Sequence, residues 1–136
     1  MLVAMAGLPG TGKSWLAVRI AAAVGGAVLS KDAVRAALFP PPFIDYSADQ
    51  DDLAMEAVYA AAAHVLRGRP DAVFVLDGRT FSRRDHLARL FAVADGIGQP
   101  VTVVECVCPD DVVRRRLDAD AAAGEHPAGN RTFELY

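Results

Sequence analysis

An apolar run from Leu2 to Ala6 gives way at once to Gly7-Leu8-Pro9-Gly10-Thr11-Gly12-Lys13-Ser14, and then to a segment of helical period. The octapeptide fits G-x-x-x-x-G-K-S in the context where that pattern has physical meaning, after a strand and at the opening of a helix. Its glycines let the backbone fold tightly enough to aim successive N–H groups inward, and the helix start adds positive potential behind them. Such a loop holds phosphate. Lys13 is predicted to reach two phosphate groups as a point charge, and the Ser14 hydroxyl to take a coordination position on Mg²⁺, with Leu8, Pro9 and Thr11 completing the cradle. The competing explanation is a glycine-rich turn followed by a chance Lys-Ser pair. Average residue frequencies produce the four matched positions by accident in roughly one chain of this size in several hundred, before context is counted. Lys13 is also one of only two lysines, the other being Lys31, in a chain that otherwise uses arginine for positive charge.

The 136 residues suffice for one domain with a real core and fall short of two ordinary ones, so residues 1–136 are read as a single domain. With 53% apolar and 23% charged residues the composition is globular. A net charge of -3 supplies no general attraction to nucleic acid or anionic membrane, so a nucleic-acid acceptor is not favoured by bulk charge. No basic, apolar and small-residue leader pattern opens the chain, and no apolar window approaches a bilayer span; a cytoplasmic protein is expected. Cys106 and Cys108 fall two apart in an expected strand, on one face, and read as ordinary reduced thiols rather than a disulfide or a zinc site.

Short apolar runs alternate with longer helical segments, the pattern of βαβ units around a parallel sheet. Strands are expected at Leu2 to Ala6, Ala27 to Ser30, Ala72 to Leu76 and Val101 to Val107. Val73-Phe74-Val75-Leu76 does not alternate, which suits a central strand covered on both faces. Helices are expected over Lys13 to Val24, Asp32 to Leu38, Ser47 to about Arg67, Arg83 to Gly96, and from Pro109 onward. Pro40-Pro41-Pro42 cannot continue the second, and Ser47 with Gln50 suggests a capping box at the third.

Ser30-Lys31-Asp32-Ala33-Val34-Arg35, Asp77 after the third apolar run, and the arginine-rich segment Arg114-Arg115-Arg116 join the glycine loop in one pattern. Together they resemble the small P-loop kinases with an AAA-type ATP-binding domain, the group that includes polynucleotide 5'-kinases, zeta-toxin-like kinases and chloramphenicol phosphotransferases. The resemblance runs over nearly the whole chain. It implies a three-layer α/β fold with a parallel sheet ordered 2-3-1-4, ATP and Mg²⁺ as cofactors, and transfer of the γ-phosphate to a hydroxyl. It also implies a lid in which Arg115 or Arg116 covers the phosphates. Ala119 and Asp120 stand where a second lid arginine would fall, with Arg131 as a possible replacement. Relatives continue past the position of Tyr136 to a fifth strand and a segment packed on adenine, so the sequence reads as truncated there. The fourth strand is then expected to leave an open edge through which copies could associate.

Residue chemistry makes the same positions plausible. In a parallel sheet the carboxyl ends of the strands form the ligand crevice. Asp32 is a candidate to orient the acceptor hydroxyl and accept its proton, and Arg35 to hold an anionic part of the acceptor. Their plainer alternatives are a helix N-cap and a solvated charge. Asp77 could enter the Mg²⁺ shell, through water, or position the acceptor, or could simply form an Asp-Gly turn. Arg79 is a further acceptor contact. No role is assigned to His64, His86 or His126. Phe39 to Tyr46 is either an acceptor-side loop or an aromatic plug in the core. The rival reading is a nucleotide-binding switch or degenerate module that transfers nothing. No N-K-x-D element is present to read guanine, and the acceptor's identity is not legible.

Overall fold

The computed structural model describes residues 1–123, so Arg131 and His126 lie outside the described residues. Four strands, β1 (Leu2–Ala6), β2 (Ala27–Ser30), β3 (Phe74–Asp77) and β4 (Val101–Glu105), alternate with five helices, α1 (Lys13–Val24), α2 (Lys31–Leu38), α3 (Ala48–Gly68), α4 (Arg84–Gly96) and α5 (Asp110–Ala123). All pairings are parallel and the order is β2-β3-β1-β4, as expected. Every residue of β1 is buried, because it has strands on both edges and helices on both faces.

The pleat of β1 divides the core. Leu2, Ala4 and Ala6 join Met55, Val58, Tyr59, Ala62 and Leu66 of α3 and Leu90 and Ala94 of α4. Val3 and Met5 point the other way, onto Ala17 and Ala21 of α1. Val58 and Leu90 are fully buried, each worth about 1.5–3 kcal/mol of transfer free energy. The small residues on α1 let it lie close to the sheet, and this sets its first turn directly beyond the end of β1.

Helices α2, α4 and α5 start within one residue of expectation, and two strands differ in their bounds. β3 begins at Phe74 rather than Ala72, where pairing with Leu2 and Ala27 starts, and extends to Asp77, which pairs with Ser30. β4 stops at Glu105 because its partner β1 ends there: Gly7 turns away at φ 118° after one last bond from Cys106 N to Ala6 O (2.8 Å). Both cysteines therefore stand beyond the strand as free thiols, not on a shared strand face. At α3, Ser47 Oγ accepts from Gln50 N (3.2 Å), but the reciprocal half of the expected box is replaced. Asp45 accepts from Ser47 N (2.8 Å), while the Gln50 amide bonds Asp45 N and the Phe43 carbonyl. Those bonds shape the segment after the prolines, whose Pro41–Phe43 forms a 3₁₀ turn. Phe43 is 69% exposed, so it plugs no core. β4 is the outermost strand on its side among the described residues, with Thr102, Val103 and Glu105 exposed. No helix among those residues is long and apolar enough to cross a membrane.

Candidate active site

The carboxyl ends of all four strands open on one cleft of about 980 Å³, lined by the glycine loop, by Lys31, Asp32 and Asp51, by Asp77 to Thr80 with His86, by Glu105 to Val107, and by Arg116 and Asp120 of α5. Parallel strands bring this about, since each hands its following loop to the same rim.

In the loop, Gly7, Gly10 and Gly12 have φ of 118°, 77° and 93°, conformations that side chains disfavour. Gly7 is the most constrained. A Cβ there would sit 2.3 Å from the Cys106 carbonyl oxygen, and backbone cannot swing aside. We expect Gly7→Ala to lower stability by about 2–3 kcal/mol, through backbone strain plus that contact. A urea midpoint unchanged from the wild type would refute this. The Leu8 carbonyl accepts from Thr11 Oγ1 (2.7 Å) and from Lys13 Nζ (2.6 Å), so the lysine lies along the loop with its stem buried. Ser14 follows on the first turn of α1, lining the cleft. Cys106 reaches the same rim; burial pushes its thiol pKa up, with nearby Lys13 acting against the shift.

Asp77 is buried, and its Oδ1 has no hydrogen-bond partner although the residue lines the cleft. An orphaned carboxylate oxygen in a buried position is costly unless something else satisfies it. Gly78 follows at φ 101°, with Lys31 against it, so the Asp-Gly pair also makes the turn.

Opposite the glycine loop, Ser30 Oγ caps α2 by accepting from Ala33 N (3.3 Å). Asp32 is therefore not the N-cap. Its Oδ1 lies 3.3 Å from Arg35 Nη1 and 3.6 Å from Lys31 Nζ, with the side chain 31% exposed on the cleft. Arg35 is not a solvated charge either. It is buried, pairs with Asp51 of α3 and with Asp32, and places its guanidinium 5.0 Å from the Tyr46 ring centre. It is absent from the cleft lining, which leaves it behind Asp32 and Asp51. Lys31 takes the cleft position, its Nζ 2.9 Å from Asp51 Oδ1. Burial, with Arg35 and Arg79 alongside, brings its pKa down to about 8, against the pull of Asp32.

Arg79 is buried on the cleft and donates to Asp52 Oδ1 (2.5 Å). His86 stands on the same wall with Nδ1 buried and unbonded, and burial lowers its pKa, Arg79 adding to the shift. On α5, Arg116 donates to the Gly10 carbonyl (3.0 Å) and lines the cleft, whereas Arg115 bonds Asp111 (3.1 Å) and stays outside it.

The structure thus gathers Lys13, Ser14, Asp32, Asp77, Arg79 and Arg116, and leaves Arg35 behind the wall and Arg115 on the surface. Lys31, Asp51 and His86 also line the cleft, and Asp52 holds Arg79 there, although the sequence did not mark them. Asp51 and Asp52 lie near the start of α3, where acids suit the helix dipole, and nothing local tells which distant cations they meet.

The AAA domain family model matches residues 2–135. No curated protein sequence matches the chain. Among solved structures, a candidate kinase from Chloroflexus aurantiacus is 24% identical with a TM-score of 0.80, over 98% of this chain and 72% of that one. The Mycobacterium tuberculosis APS kinase CysC, solved with AMPPNP and APS, is 26% identical with a TM-score of 0.66, over 92% and 75%. A Sinorhizobium meliloti gluconokinase is 21% identical with a TM-score of 0.59, over 86% and 63%. With a phosphate-loop cleft at the ends of a 2-3-1-4 sheet, the chain belongs to the AAA domain family and has the fold of the small P-loop kinases.

Proposed function

We propose that residues 1–136 form one ATP-dependent kinase domain that transfers the γ-phosphate to a hydroxyl group of a small molecule or nucleic-acid end. The observation that carries this reading is the meeting, in one cleft, of the glycine loop with Lys13 on one side and the Asp32 carboxylate on the other. The loop amides and Lys13 hold the triphosphate, and Arg116, tied to the Gly10 carbonyl, stands where it can cover it. Asp32 orients the acceptor hydroxyl and takes its proton as the acceptor oxygen bonds to the γ-phosphorus and ADP departs. Arg79 and Lys31 offer the acceptor cationic contacts; Arg35 acts through Asp32 and Asp51.

Mg²⁺ fits the residues present. The orphaned Asp77 oxygen and the Ser14 hydroxyl would hold it, directly or through water. Such an ion is bound largely through nucleotide phosphates, with one or two protein ligands and water completing its shell. When bound, it neutralises charge on the phosphate oxygens.

Acceptor-stimulated ADP release tests the reading, over a panel of DNA and RNA 5'-hydroxyl ends, nucleosides, aminosugars and chloramphenicol. The alternative, a nucleotide-binding module without transfer, is favoured by Asp120 lining the cleft where the lid of similar kinases has a second arginine. Tight ATP binding with no acceptor raising ADP release would support it. We further expect Arg116→Ala to slow transfer about 10- to 100-fold, the range for a lost hydrogen bond to a charged group. Arg115→Ala, which breaks only a surface pair, should stay within about twofold of wild type. Equal rates for the two variants would remove the lid role from Arg116.

A further inference from the structure

The cleft contains an aromatic side chain that neither the core nor the phosphate chemistry explains. Trp15, the chain's only tryptophan, follows Ser14 and is 62% exposed on the cleft rim. α1 packs on the sheet through Ala17 and Ala21, so Trp15 contributes little to the core. Its ring is nonetheless held in place: the Arg19 guanidinium, one helical turn on, sits 3.8 Å from the ring centre.

Its position follows from the loop. The first intrahelical bond runs from Leu16 N to Gly12 O (3.0 Å), so the amides of Ser14 and Trp15 precede it, among the donors that a helix start offers to phosphate. A triphosphate seated in the loop must place its ribose and base outside the loop, and Trp15 is a large exposed side chain on the cleft beside it. Arg116 and Asp120 of α5 border the same rim. An aromatic ring with a guanidinium on one face offers its other face to a base, and every base has a π-face to stack.

We propose that Trp15 is the stacking platform for the base of the bound nucleoside triphosphate. This rests on the nucleotide-binding half of the functional reading. Stacking of this kind is sequence-tolerant, so Trp15 contributes affinity for ATP and GTP alike, and Asp120 is placed to accept a hydrogen bond from a base amino group.

The single tryptophan makes the test direct. ATP should change Trp15 fluorescence, whereas inorganic tripolyphosphate should bind, displace ATP and leave the emission nearly unchanged. By calorimetry, Trp15→Ala should weaken ATP binding about 5- to 150-fold, the range for one lost base–aromatic stack, with tripolyphosphate affinity unaltered. Trp15→Phe should restore most of the loss. Because the ring is exposed, the variants should melt like the wild type. Unchanged ATP affinity in Trp15→Ala, or equal losses for ATP and tripolyphosphate, would overturn the platform. If Lys13→Ala abolishes ATP binding while Trp15→Ala does not, the platform alone falls. If the wild type binds neither ligand, the functional reading falls with it.

Discussion

Lys13→Ala is expected to reduce ATP binding and turnover by about 10²- to 10³-fold, as removal of one dominant charge-stabilising donor does at phosphate and oxyanion sites. The protein should still fold. Lys13 belongs to neither apolar cluster, and the Leu8 carbonyl to which it bonds also accepts from Thr11 Oγ1 at 2.7 Å. Removing the ammonium therefore leaves that carbonyl with a donor and the turn with its hydroxyl clasp. A melting temperature within a few degrees of the wild type, with ATP affinity measured alongside, checks both halves. A folded variant that binds and turns over ATP normally would end the assignment of the loop as a nucleotide site.

Asp32→Asn is expected to slow acceptor-dependent phosphoryl transfer by about 10²- to 10⁴-fold, the usual cost of removing a general base. Binding of Mg-ATP should barely move, because Asp32 lies across the cleft on the β2 side, away from the loop. Stability should also barely move. Ser30, not Asp32, caps α2, and the asparagine oxygen can still accept from Arg35 Nη1 at 3.3 Å. Arg35 also retains Asp51, so no buried cation is stranded. The measurement pairs an ATP titration with timed ADP release under identical Mg²⁺ and pH. Equal turnover would take Asp32 out of catalysis, and a parallel collapse of binding would assign it to the nucleotide or metal site.

Much of this molecule is written locally. The loop from Gly7 to Ser14 dictates strand, turn and helix within a dozen residues, because its glycines adopt backbone angles other residues avoid and its lysine follows directly. Apolar runs without alternation mark the buried strands, and the alternation of strand and helix implies the parallel sheet and hence the rim on which Asp32 and Asp77 gather. The order 2-3-1-4 came from resemblance, and the sheet has it.

Other features exist only once the chain is folded. Where β3 starts and β4 stops depends on which residue of β1 each finds opposite it, a property of register that neither strand carries alone. Because α3 brings Asp51 against α2, the buried Arg35 guanidinium, expected at the acceptor, is held behind the wall, and Lys31, to which the sequence reading gave no role, reaches the cleft. Arg115 and Arg116 are adjacent in sequence, yet helical rotation sends one to Asp111 and the other to the Gly10 carbonyl. By itself the sequence determined the phosphate loop, the fold class and the acids at the strand ends, since these follow from backbone angles and short-range periodicity. Only the tertiary structure decided which charges face the cleft and which are spent on each other, since ion pairing depends on distances between segments far apart in the chain.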